Sequence, residues 1–239
     1  MKNKIVFIFF ALFAFSAFAI DVTTDVFLGG FYNHANVFTG KAKYQKNISY
    51  DTVTIDGDYN AVFSAAGGSL GFDCFFNPSS FGVYLRSGFF KVFDVKRTAA
   101  GVTDKIKNTQ IGYNMFFDVG GIYAFNFGNV SLNIAPALSI LSVQAQNMEK
   151  IYSRTTIDAL LGFGLSADVS VKYRYKYFVC SAGCTSSFYP LTLVSSADTK
   201  INYSTNIRNT MAYNLRPYIA FGFSIREITS SVVKAGGND

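Results

Sequence analysis

The chain has 239 residues, half of them hydrophobic and 17% aromatic, with 20 Gly, three Cys and no Trp. Its formal net charge of +6 comes from Lys and Arg spread over polar segments, among them Lys96, Arg97, Lys105 and Lys107. Without basic residues and stacking aromatics gathered on one face, no nucleic-acid partner is expected. One His, no CxxC and no Cys/His cluster argue against a zinc site, and neither metal nor cofactor is expected.

The N-terminus reads as an export signal. Lys2 and Lys4 precede an apolar stretch from Ile5 to Ala19, interrupted only by Ser16. Ala17-Phe18-Ala19 supplies the small-x-small cleavage pattern, so residues 1–19 are expected to be a signal peptide and Ile20 the new first residue. Such a stretch is too short to cross a bilayer core of about 30 Å as a helix. Cleavage would leave 220 residues with a formal charge of +4 and no run of 18 apolar residues. A mature chain that spans a membrane would therefore do so with strands.

Eight alternating runs follow, at about 21–34, 59–73, 80–94, 109–125, 130–144, 156–173, 177–189 and 210–225. The sixth is the clearest. From Ile157 to Tyr173 every odd position is apolar, whereas Asp158, Ser166, Asp168, Ser170 and Lys172 lie between them. Side chains on a strand alternate between faces, so this strand has one oily side and one charged side. The third, fourth, fifth and eighth runs repeat the pattern. Phe81, Val83, Leu85 and Phe89 oppose Tyr84 and Arg86, and Val119 and Tyr123 oppose Asn114 and Asp118. Leu132, Ile134 and Leu138 oppose Asn133, and Leu215, Ile219 and Phe221 oppose Asn214, Arg216 and Tyr218. The first, second and seventh runs fix their faces only loosely. Pro136 and Pro217 fall in mid-strand, where each removes a ladder donor.

Connections alternate in length. Long polar ones are expected at 35–58, 95–108, 145–155 and 190–209, and short ones after the second, fourth and sixth runs, where Asn77-Pro78-Ser79 and Gly128-Asn129 are turn sequences. Short periplasmic turns with longer extracellular loops is the arrangement of outer-membrane barrels. The fold expected is thus all-β: a closed antiparallel up-and-down transmembrane barrel of eight strands over residues 20–226, with a polar tail at 227–239. Ten strands would result if 41–55 concealed a further hairpin, although Ser49 to Ile55 reads better as a strand extension above the membrane. Gly120, Gly162, Gly164, Gly222, Ala135 and Ala220 on the polar face suit an eight-stranded interior, which side chains fill completely.

Ionised groups in such an interior have to be paired. The expected polar network contains Tyr84, Arg86, Asn114, Asp118, Asn133, Asp168, Asn214, Arg216 and Tyr218, with Arg86 placed opposite Asp118 when the third and fourth runs are folded together. Lys41, Lys43, Tyr44, Lys46, Tyr50, Tyr203 and Arg208 are the candidates for binding through the loops. Tyr113, Tyr123, Phe125, Tyr173 and Tyr213 are placed for interfacial girdles. Cys180 and Cys184, four apart on one strand, are roughly 13 Å apart and cannot bridge. A pair with Cys74 stays geometrically open, and the odd count leaves at least one thiol free.

This combination resembles the small outer-membrane barrels of the OmpA, OmpX and OmpW type over most of residues 21–225. The resemblance implies a non-enzymatic integral outer-membrane protein with a structural or surface-interaction role. It also implies membrane lipids and the outer-membrane assembly machinery as partners, with a surface ligand or small solute as a further one, and a monomeric state. The alternative it implies is a narrow channel for small or hydrophobic solutes. One departure is the polar tail after Tyr218-Ile219-Ala220-Phe221-Gly222-Phe223, since such barrels usually end on an aromatic residue. Two rivals remain. A lipid A-modifying enzyme would need His34 held as a base beside a Ser nucleophile. A soluble lipocalin-like carrier would turn the apolar face inward.

Overall fold

The computed structural model describes residues 22–48, 51–99, 102–107, 114–149, 154–198 and 203–227. Nine strand segments occupy them: β1 (Val22–Ile48), β2 (Asp51–Phe76), β3 (Phe81–Ala99), β4 (Val102–Lys107), β5 (Asn114–Phe127), β6 (Val130–Glu149), β7 (Arg154–Tyr175), β8 (Phe178–Asp198) and β9 (Tyr203–Glu227). Both β4 and β5 pair with β3, β4 along Asp94–Ala99 and β5 along Phe81–Phe90, so they are two parts of one barrel strand. Every pairing is antiparallel, and β9 returns to pair with β1, which closes an eight-stranded up-and-down barrel. The tract at 41–55 contributes the two arms of the β1–β2 hairpin and no extra strands. The predicted signal peptide and the residues after Glu227 lie outside the described residues; β9 itself ends one residue into the predicted tail.

The stagger of the barrel can be read from its ladder. Starting at Asp25 and stepping through direct partners gives Asp73, Tyr84, Gly120, Ala137, Ser166, Ser187 and Asn214. The next step lands on β1 again at Ala35, ten residues along from Asp25. This offset tilts the strands and sets an interior that side chains can just fill. Gly222 on β9 and Gly120 on β5 stand where a Cβ would collide with the backbone of the adjacent strand, at Val26 and Pro136 respectively.

The two prolines interrupt one ladder each. Pairing of β5 with β6 skips from Gly120–Ala137 to Tyr123–Ile134, across the position of Pro136, whereas the β7 side of Pro136 stays paired with Ala167. Likewise β1–β9 pairing skips from Phe31–Tyr218 to His34–Leu215 across Pro217, which remains opposite Cys184 on β8. Each imino nitrogen thus costs hydrogen bonds on one side only.

Large apolar side chains cover the outside: Leu28, Leu70, Phe89, Leu132, Ile134, Leu138, Leu165, Val171, Ile219 and Phe221 are all exposed. Water would not tolerate a continuous belt of this size on a monomer, whereas lipid requires it. Tyr123, Phe125, Tyr173 and Tyr213 also face out, with Tyr123 and Phe125 in edge contact at 4.9 Å; Tyr113 lies outside the described residues. All three cysteines are half-buried and none is in a disulfide, so the Cys74 pairing left open by the sequence is not formed.

The long connections expected at 35–58, 95–108, 145–155 and 190–209 are largely strand. The hairpins continue to Ile48 and Asp51, to Ala99 and Val102, to Glu149 and Arg154, and to Asp198 and Tyr203. The reason is an exchange of faces. On β6 the outward residues run from Val130 to Ile140 as large hydrophobes, then turn polar at Ser142, Gln144 and Gln146. The inward residues do the reverse, from Ser131, Asn133 and Ser139 to the fully buried Leu141, Val143 and Ala145. On β3, outward Lys91 and Lys96 oppose inward Val92 and Val95, and on β2 outward Asn60 and Ser64 oppose inward Tyr59, Ala61 and Phe63. Above the belt the cylinder meets water, so its apolar side turns inward as in any water-soluble barrel.

Candidate functional site

Between that apolar upper core and a small lower one around Phe75, Ile122 and Ala124 lies a layer of ionised groups inside the barrel. It holds four basic groups, Arg86, Lys172, Arg174 and Arg216, and four carboxylates, Asp25, Asp73, Asp118 and Asp168, so it is formally neutral. Register puts them there. Asp25 and Asp73 are direct partners on β1 and β2, and two adjacent carboxylates repel unless cations stand between them. Lys172, crossing from β7, bonds both: 3.2 Å to Asp25, and a closer contact with Asp73. Arg174 donates to Asp25 at 2.7 Å and to Ser131 at 3.2 Å.

Arg86 and Asp118 are direct backbone partners on β3 and β5, as folding the two runs together places them. Their side chains nevertheless bond elsewhere, which corrects the expected pair. The Arg86 guanidinium reaches Asp73 at 3.4 Å and lies over the rings of Phe27, Tyr84 and Tyr218 at 4.9, 5.3 and 5.1 Å. The absent side chain of Gly71, its neighbour on β2, leaves the space it crosses. Asp118 instead bonds Arg216 and accepts from Ser139 Oγ, which also contacts Tyr189 Oη at 2.8 Å. Among the described residues no cation lies within ion-pair distance of Asp168; Thr185 Oγ1 and Tyr218 Oη donate to it at 2.8 and 3.0 Å. Arg216 stacks on Phe116 with its guanidinium carbon 3.7 Å from the ring centre.

The remaining expected members also face inward. Asn133 and Asn214 are fully buried, and Asn114 accepts the backbone N–H of Gln144. Residue-by-residue reading missed Asp25, Asp73, Lys172, Arg174, Ser139, Thr185 and Tyr189. Lys172 was legible on the charged face of its strand. Asp25 and Asp73 sit on two of the three strands whose alternation is weak, and only the β1–β2 register brings them together.

Packing leaves little space around the charge layer. A cavity of about 10 Å³, room for a single water, is lined by Phe31, Ser69, Arg86, Phe116, Thr185, Arg216 and Tyr218. Asp118, Asp168, Lys172 and Arg216 are each at most 2% exposed. The loop candidates lie at the opposite end from the short turns. Lys41, Lys43, Tyr44 and Lys46 are on the upper arm of β1, in register with Asp58, Asp56, Ile55 and Val53. Tyr203 is opposite Lys46, Arg208 is on β9, and Tyr50 lies outside the described residues.

His34 sits on β1 in a row with Ser64 of β2 and Asp94 of β3. The serine stands between the other two, so the carboxylate cannot orient the imidazole as a hydrolytic triad requires, and Asp94 bonds Lys105 at 3.4 Å instead. Among the described residues no group of His, Cys, Asp and Glu is arranged to hold a metal ion.

No protein-family model matches the chain, and no curated protein matches it in sequence. Among solved structures it is similar to the outer membrane protein OprG from Pseudomonas aeruginosa, with a TM-score of 0.52 and 13% identity over 84% of this chain and 95% of that one. It also aligns with Ail, the attachment invasion locus protein of Yersinia pestis, over 86% of this chain and 99% of that one, at 12% identity and a TM-score of 0.38. The first likeness shows the fold. Together with the lipid-facing belt and the inward charges, that fold makes the protein an integral outer-membrane β-barrel.

Proposed function

We propose that the barrel is a closed structural anchor whose extended hairpins make contacts at the cell surface. The observation that carries this reading is the sealed interior: a neutral, interlocked charge layer beneath a packed apolar core. A water-filled path would wet the ionised side chains that line it, and these are buried. Above the belt, the four hairpins are held by ladder pairing and by an apolar core of their own, which suits presentation of a rigid surface more than gating. The narrow-channel alternative predicts conductance that depends on Arg86. Planar-bilayer recordings of the purified full chain and of Arg86→Ala test both readings. No steps in wild type is the expected result; steps of defined size that change with Arg86→Ala overturn the anchor reading. Shortening the β1–β2 hairpin is expected to leave the barrel assembled and to reduce cell adhesion; unchanged adhesion removes the surface role from that hairpin.

A further inference from the structure

Outside the barrel, at the upper edge of the belt, Lys96 and Lys105 stand side by side on the β3–β4 hairpin, with Lys91 five residues below Lys96 on β3. Lys91 and Lys96 are exposed on β3, and the Lys105 side chain on β4 is 69% exposed. Lys96 and Lys105 are direct cross-strand partners, a placement at which like charges repel. Asp94 bonds Lys105 at 3.4 Å, so among the described residues three ammonium groups share one carboxylate.

Their height is set by the strand. Phe81 opens β3 at the short-turn end, and Lys91 follows ten residues later, where the roughly 9–11 residues that cross a bilayer are used up. Directly below, Phe89 is 69% exposed to lipid. Beside Phe89 runs a shallow lane on β2 and β1: Gly68 is its direct partner, and Gly30 is the partner of Gly68. A Cβ added at Gly30 or Gly68 would meet only a carbonyl oxygen, at 3.9 and 3.7 Å, so the lane is open to the outside. The Tyr32–Phe93 ring pair, 6.2 Å between centroids, bounds it above.

We infer that this face binds a phosphorylated glycolipid of the outer leaflet, with an acyl chain against the Gly30–Gly68 lane and its phosphates against Lys91 and against the Lys96–Lys105 pair. A bare lipid-facing wall would need no lysine cluster at this height, and a soluble anion would need no apolar lane below it. An anionic headgroup also relieves the repulsion between Lys96 and Lys105.

The test uses the full chain in phosphatidylcholine nanodiscs, with bound lipid counted by native mass spectrometry. Bis-phosphorylated lipid A, its dephosphorylated form and inorganic phosphate are added in separate arms. At about a fivefold contribution per surface lysine, the triple variant Lys91→Gln, Lys96→Gln, Lys105→Gln is expected to bind lipid A on the order of 100-fold more weakly. Lys176→Gln, in the short turn between β7 and β8 at the other end, is expected to bind as wild type does. Wild-type binding itself is expected to weaken as salt is raised. Equal binding of phosphorylated and dephosphorylated lipid, salt-independent binding, or an unaffected triple variant overturns the proposal. So does displacement by inorganic phosphate at a concentration equal to that of the lipid, which would make the patch a simple anion site.

Discussion

Asp73→Asn is the most informative perturbation of the interior. Asp73 is fully buried and is the carboxylate that Arg86 reaches; it also shares Lys172 with Asp25. Removing its charge leaves Lys172 one carboxylate and leaves Arg86, whose side chain is 5% exposed, with none at bonding distance. Breaking a buried pair by deleting one partner costs about 3–5 kcal/mol. The three aromatic rings around Arg86 hold its guanidinium before and after the change, so they leave this difference as it is, and the loss should be about 3–5 kcal/mol. The double variant Asp73→Asn, Arg86→Met restores neutrality and should recover more than half of it. With no Trp in the chain, unfolding is best followed by heat-modifiable gel mobility and circular dichroism across a urea series in lipid vesicles. A loss below about 1 kcal/mol for the single variant, or strict additivity of the two changes, would refute the account of the charge layer.

The exchange of faces on β6 makes two further predictions. Leu138, 62% exposed in the belt, when changed to Arg should cost about 2–4 kcal/mol in the same assay, whereas Gln144→Arg, outward but above the belt, should cost almost nothing; equal costs would remove the belt boundary. Leu141→Asn, inward at the start of the upper core and fully buried, should destabilise by roughly 2–5 kcal/mol through lost packing and an unpaired amide; a neutral result in urea unfolding would mean that this part of the lumen is wet.

Location and class were legible in the sequence because a membrane-embedded strand has an absolute rule: lipid on one side and packed polar groups on the other, at a period of two. The sixth run, Ile157 to Tyr173, obeys it almost throughout and is β7; the fifth, as β6, obeys it through Ile140. The same rule hid the upper halves of the strands. Above the belt, Leu141, Val143 and Ala145 still alternate with Ser142, Gln144 and Gln146, but with the faces exchanged, and one strand then reads as a strand followed by a loop. Pairing inside the lumen was also beyond the one-dimensional pattern. Alternation states that Arg86 and Asp118 point inward and register states that they are neighbours, yet Arg86 bonds Asp73 and Asp118 bonds Arg216. Which cation meets which carboxylate depends on side-chain length, on the gap left by Gly71 and on the ten-residue stagger that carries Asp25 round to Ala35, and those are properties of the closed cylinder. The chain by itself determines what each strand shows to lipid, because that is a local demand on every second residue; only closure decides the partners within, because they come from positions up to 149 apart in the chain.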